Sequence, residues 1–353
     1  MYLNGIGTAT PPARYTKLDC WEAFRRSEWF ERLSTRTRAL TRAVLLTENG
    51  MEARRLAVAS LAEAFRIDPD TLYRRFLETA PELAARAGAA ALDNAEVTAA
   101  DIDAVVVSTC TGYLCPGLTG YVSERLGLRP NTAAFDLVGQ GCAAAVPNMR
   151  LGQALIASRS DRCNVLSICV EVSSAAMYLD DDPGVLVSAC LFGDGAGAAV
   201  LSNTPPQGRR PIFWQDSESL LDPGQREALK FEQRHGMLRN VLTRPVPQLA
   251  AEYVGQVLGT MLRRAQLEIP QIGSWIVHAG GRDVLLALQE RLRLSPQDLR
   301  YSAAVLREYG NLSSAFVYFV LQAALAGGAA GGWWWLGSFG AGFSCHGALL
   351  RVD

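Results

Sequence analysis

Short apolar runs alternate with longer amphipathic ones along this chain. The segments "IDAVVVSTC", "CNVLSICVE", "GAGAAVLS" and "SWIVHAGG" are apolar at successive positions over the length of a strand, whereas "PELAARAGAAAL" and "PQLAAEYVGQVLGTMLRRAQL" repeat at helical spacing. Strands apolar on both faces belong in sheets covered by helices on both sides, so the pattern predicts an α/β protein. From Ala315 to Phe343 no residue is charged, a length sufficient to cross a bilayer. The glycines at 327, 328, 331, 332, 337, 340 and 342 would interrupt a spanning helix repeatedly. A buried helix, a Gly-rich turn and a buried strand "WWWLGSF" are expected there instead.

The pattern also repeats. "GCAAAVPNMRLGQAL" around Cys142 lines up with "GNLSSAFVYFVLQAA" around Asn311, 169 positions later, and "IDAVVVSTCTG" with "IGSWIVHAGG", which sets His278 opposite Ser108, 170 positions apart. "FGDGAGAAVLS" recurs as "FGAGFSCHGALL", with Phe339 opposite Phe192 at a displacement of 147. Three matches in one order indicate an internal duplication. The halves are expected at 1–205 and 206–353, with the junction in "SNTPPQGRRP", where Pro, Gly and charge break the apolar pattern. "DSESLLDPGQREALKFEQRHG" is polar and carries no clear element.

Composition narrows the classes. The chain has 353 residues, is 49% hydrophobic and carries a formal net charge of −1, so a large core is expected and no overall basic field would draw it to nucleic acid or to anionic lipid. The eight cysteines form no CxxC pair and no zinc-ligand spacing with the three histidines, so neither a metal site nor a disulfide framework is expected. "MYLNGIGTATPPARYTKL" lacks the basic and apolar regions of a signal peptide, which points to the cytoplasm.

Cys142 sits between a glycine and three alanines. Small neighbours allow a sharp turn from strand to helix and let a ligand approach closely. A thiol at a helix N-terminus is drawn toward the thiolate by the dipole. Cys20, Cys163, Cys169 and Cys345, inside apolar runs, read as inert buried thiols.

"GQGCAAA", "FGDGAGAAVL", "WIVHAGG", "YGNLSSA" and "GSFGAGF", in that order and spacing, resemble the thiolase superfamily, and most closely the chalcone and stilbene synthases, the type III polyketide synthases. The resemblance runs from about Gly5 to Leu350 and is weakest between Asn203 and Arg239. It implies a thiolase-like five-layer αβαβα fold made of two duplicated halves, a homodimer and a Cys142–His278–Asn311 triad. Cys142, as a thiolate beside an imidazolium, would take an acyl group from a starter acyl-CoA. His278 and Asn311 would hydrogen-bond the malonyl-CoA carbonyl as decarboxylation turns it into an enolate, an effect of about 3–4 kcal/mol for a single oxyanion donor. The reaction implied is iterative decarboxylative Claisen condensation with possible ring closure. CoA thioesters are the substrates, and no metal or organic cofactor is required.

Further positions carry over residue by residue. Phe192 matches an aromatic gatekeeper; Ser173, Ala176, Cys110 and Ser313 match cavity-lining positions. Phe339 and Gly340 lie in the loop "SFGAG", Ser338 to Gly342, which shapes the cyclisation cavity. Cys115 matches a residue reaching into the partner subunit's cavity, and Arg32 and Arg36 match residues that hold the CoA phosphates, a task suited to guanidinium. Three departures, Ala341 for Pro, Asn240 for a second gatekeeper Phe and Ala176 for a larger hydroxyl residue, imply a wider and more polar cavity. Rival readings are a ketoacyl synthase III-like enzyme that condenses once with an acyl carrier protein, a Cys-His-Asn thioester hydrolase, and a non-catalytic subunit.

Overall fold

The computed structural model describes all 353 residues. Nine strands form one hydrogen-bonded sheet in the order 272–277, 332–340, 344–352, 212–221, 2–9, 194–202, 164–172, 104–108, 133–137. Its middle is a narrow seam, where strands 2–9 and 212–221 meet at the single pair Tyr2–Phe213. Outward from that seam the same pairing recurs on each side. Strand 2–9 pairs antiparallel with 194–202, which pairs antiparallel with 164–172, which runs parallel to 104–108. On the other side 212–221, 344–352, 332–340 and 272–277 repeat antiparallel, antiparallel, parallel. The ninth strand, 133–137, lies at an edge beside 104–108 and has no counterpart at the opposite edge.

Helices complete five layers. Ala145–Ala157 and Phe316–Ala326 each pack on strands from both sides of the seam and form the central layer. Pro69–Ala95 covers the outer face of one sheet half, and Val246–Ala265, with Arg282–Leu292 behind it, covers the other. The strands are apolar on both faces for this reason: Val105, Val107, Leu166 and Ile168 face the outer helix, while Ala104, Val106, Val165 and Cys169 join the central core. Burial of that kind contributes roughly 25 cal/mol per Å² of apolar surface. Close approach fixes some identities, since a Cβ on Gly7 would lie 2.2 Å from the Ala87 carbonyl oxygen of the outer helix.

A polar layer ties the two central helices together. Asn148 Nδ2 donates to Ser108 Oγ at 2.7 Å and to the Ile168 carbonyl at 3.0 Å; Ser167 Oγ lies 2.7 Å from Asn148 Oδ1 and 2.8 Å from the Tyr318 hydroxyl. The uncharged stretch resolves into helix Phe316–Ala326, a turn and strand Gly332–Gly340, and no helix of the protein is long and apolar enough to cross a membrane. The polar segment after the junction, without a clear element in the sequence, forms strand Ile212–Leu221 and a hairpin of Leu229–Arg234 with Met237–Leu242. Arg239 anchors this hairpin to the loop before helix Pro183–Leu191, with Asp180 at 2.8 Å, Asp182 at 3.2 Å and Glu232 at 3.1 Å.

Candidate active site

Cys142 and Asn311 occupy matching turns. Each follows a glycine with positive φ, Gly141 at 54° and Gly310 at 70°, a conformation that strains any residue with a Cβ. Each turn leads through a short 3-10 segment, Gly141–Ala143 or Ser313–Ala315, into a central helix. His278 begins the turn after strand Ile272–Val277.

A closed circuit of contacts joins the three. Ser313 Oγ lies 3.2 Å from Cys142 Sγ, and Ser313 N donates to Asn311 Oδ1 at 2.9 Å. Asn311 Nδ2 donates to the Gly280 carbonyl at 3.3 Å, two residues from His278. The His278 ring sits edge-on to Phe316 and Phe339, with centroids 5.3 and 5.0 Å apart. Gly340, next to Phe339, presses on the Cys142 turn so closely that a Cβ there would lie 2.6 Å from Ala143 N.

Burial acts on both ionisable groups of the site. Cys142 is 8% exposed, and burial pushes its thiol up to about 12; the hydrogen bond from Ser313 opposes that rise and the charge of Glu171 adds to it. Burial lowers His278, 1% exposed, to about 3. Burial thus disfavours the charged form of the thiol and of the imidazole, each taken by itself. His278 Nδ1 is buried without a partner, which leaves Nε2 as the nitrogen with access to the site.

Glu171, fully buried at the end of strand Asn164–Val172, was not singled out from the sequence. Its carboxyl accepts from Cys110 N at 3.1 Å and Thr111 Oγ1 at 3.0 Å, and lies against Ser313 at 3.3 Å and Ser314. Burial raises its pKa, and these donors oppose the rise. The only sequence signal was one acid in the apolar run "CNVLSICVEV". Arg54, also missed, is buried and donates to the carbonyls of Ala189 at 2.5 Å and Phe192 at 3.0 Å, fixing the C-terminal end of helix Pro183–Leu191.

Two cavities flank the circuit. An inner, narrow one of about 30 Å³ is lined by Ser173, Ala176, Phe192 and Asn240 among others, and Phe192 forms a β-bridge with Asn311. An outer cleft of about 500 Å³ is lined by Cys110, Gly141, Lys230, Ala341 and Gly342 among others. Ser313 lies under Cys142 instead of lining either cavity. Phe339 and Gly340 likewise support His278 and the Cys142 turn, and the loop lines the cleft only through Ala341 and Gly342, because the strand buries the two preceding residues. Cys115 is exposed and lines neither cavity of its own chain. Arg32 pairs with Glu28 at 3.1 Å over Trp29, Arg36 is exposed, and neither lines a cavity.

A family model described as FAE1/Type III polyketide synthase-like protein matches residues 38–213, and the C-terminal domain of chalcone and stilbene synthases matches residues 217–352. A 1,3,6,8-tetrahydroxynaphthalene synthase of Streptomyces peucetius subsp. caesius is 32% identical over 98% of this chain and 92% of its own length. A 3,5-dihydroxyphenylacetyl-CoA synthase of Amycolatopsis orientalis is 30% identical over 70% of this chain and 67% of its own. The crystal structure of PKS-I from the brown alga Ectocarpus siliculosus superposes with a TM-score of 0.90 at 25% identity, covering 99% of this chain and 98% of that one.

Proposed function

The chain belongs to the type III polyketide synthases, and from that premise we propose how its own residues divide the reaction between an acyl-CoA starter and malonyl-CoA. Cys142 Sγ attacks the starter thioester; its proton passes to His278 Nε2 and on to the departing CoA sulfur, leaving the acyl group on Cys142. Ser313 Oγ, 3.2 Å from the sulfur, offers a hydrogen bond as negative charge develops there.

His278 and Asn311 then hold the thioester carbonyl of malonyl-CoA. Asn311 is oriented for this, with its oxygen fixed by Ser313 N and one amide hydrogen by Gly280, so the second hydrogen is free to meet the enolate oxygen. The bond to the carboxylate breaks, CO₂ leaves, and the enolate carbon attacks the acyl-cysteine and expels the Cys142 sulfur. The chain has grown by two carbons. No metal or organic cofactor enters the scheme. The observation that carries the assignment is the circuit through Ser313, Gly280 and Phe339, which brings three residues remote in sequence to one place.

A homodimer and a cytoplasmic location are part of the proposal. Strand 133–137 presents an unpaired edge, and Phe135, Val138 and Tyr113 near it are 37%, 57% and 72% exposed. An exposed apolar edge of this kind invites a second copy. Thr119 Oγ1 donates to Asp136 of the edge strand, which places the loop carrying Cys115 beside it. Arg32 and Arg36 are assigned to the CoA phosphates on the family pattern. To test the function, the enzyme is incubated with labelled malonyl-CoA and a panel of acyl-CoAs without carrier protein. Products several acetate units longer are expected; a single extension that requires carrier protein would overturn the reading.

A further inference from the structure

The inner cavity has an uneven supply of hydrogen-bond donors. No charged residue lines it, and most of its wall is apolar. Thr111 Oγ1 is engaged with Glu171 and Val172 N, and Ser174 Oγ with Asp194. Three donor groups have no protein acceptor, the Tyr178 hydroxyl, Ser173 and Asn240. Ser173 Oγ is buried without a partner. Asn240, on the hairpin strand Met237–Leu242, accepts the Ser188 hydroxyl on its Oδ1 at 2.7 Å, which occupies the oxygen and leaves its amide hydrogens unpaired. Arg239, clamped by Asp180, Asp182 and Glu232, fixes the backbone next to that amide.

Buried donors without acceptors are unfavourable until a ligand supplies oxygen, and a site of this kind discriminates against ligands that lack it. A neutral lining disfavours carboxylates and leaves carbonyl or hydroxyl oxygen as the match. We propose that Asn240 Nδ2 and Ser173 Oγ are specificity determinants that donate hydrogen bonds to carbonyl oxygens of the chain carried on Cys142, so that this cavity selects oxygen-bearing acyl groups over aliphatic ones of equal length. The inference rests on the acyl-cysteine chemistry above. A growing poly-β-ketone presents such an oxygen at every second carbon. The position that the family pattern gives to an aromatic gatekeeper becomes here a polar contact held in place by Ser188.

The test compares acylation of Cys142 by acetoacetyl-CoA and butyryl-CoA, which differ by one carbonyl, in rapid-quench experiments read by intact-protein mass spectrometry. Wild type is expected to favour acetoacetyl by about 10-fold in kcat/KM. Asn240→Leu, similar in size, and Ser173→Ala should each move that ratio toward one. Ser188→Ala, which releases the amide without removing it, should fall between. Equal rates in wild type, or an unchanged ratio in both Asn240→Leu and Ser173→Ala, would overturn the inference while leaving the polyketide synthase assignment intact. Failure of both thioesters to load Cys142 would overturn the inference together with the acyl-cysteine chemistry on which it rests.

Discussion

Replacing Ser313 by alanine isolates one hydroxyl. Ser313 has φ of 50°, and alanine carries the same Cβ, so the backbone strain is unchanged. The bond from its N–H to Asn311 remains, and Glu171 keeps Cys110 N, Thr111 and Ser314 as donors. What disappears is the hydroxyl whose oxygen lies 3.2 Å from Cys142 Sγ. A hydrogen bond to a charged acceptor contributes about 1.5–3 kcal/mol. The hydroxyl has a single proton and Glu171 competes for it at 3.3 Å, so the lower end, ~1.5 kcal/mol, applies, which is about a tenfold change in rate. Single-turnover transfer from an acyl-CoA to Cys142, quenched in acid and weighed as intact protein, should slow by about that factor, with an unchanged thermal midpoint. Acylation within twofold of wild type by a folded variant would refute the reasoning that this hydroxyl stabilises the developing thiolate.

Three further outcomes are expected. Cys142→Ala should abolish acyl loading, whereas Asn311→Ala should load but decarboxylate malonyl-CoA slowly; equal loss of both steps in the Asn311 variant, read by acyl mass and CO₂ release, would contradict its role. His278 is held to about 3 in the fold, below its ordinary 6.5, so the unfolded chain binds its proton first and stability falls as pH drops below 6.5. Buried Glu171 and Asp194, whose pKa values are raised, act in the opposite sense, so the difference between wild type and His278→Gln is the quantity to measure. By urea denaturation the variant should lose about 2–3 kcal/mol less than wild type between pH 6.5 and 4.5. Arg239→Met should lower the urea midpoint by the equivalent of about 1–3 kcal/mol, since it leaves Asp182 without its cation and Asp180 and Glu232 with only the longer contacts to Arg234 and Lys230, and Arg239→Lys should recover part of it.

The α/β alternation, the helix and strand in the uncharged stretch, and the glycine turns before Cys142 and Asn311 were legible along the chain. Each depends on periodicity or on the conformational freedom of a single residue. The hairpin 229–242 was not, because its strands lie at the surface and carry no apolar alternation; its ion pairs with Asp180 and Asp182 hold it in place. Glu171 was invisible for a related reason. One acid in an apolar run gives no hint of partners that lie some 60 to 140 positions away.

Sequence alone determined which atoms are available: a sulfur, an imidazole and a carboxamide at fixed spacings in two similar halves. Tertiary structure decided their state. The burial that disfavours charge on Cys142 and His278, the support role of Phe339 and Gly340, and the free amide of Asn240 follow from desolvation and from contacts between distant segments. Those quantities depend on which surfaces lose water when the five layers close, and no local pattern of residues encodes them.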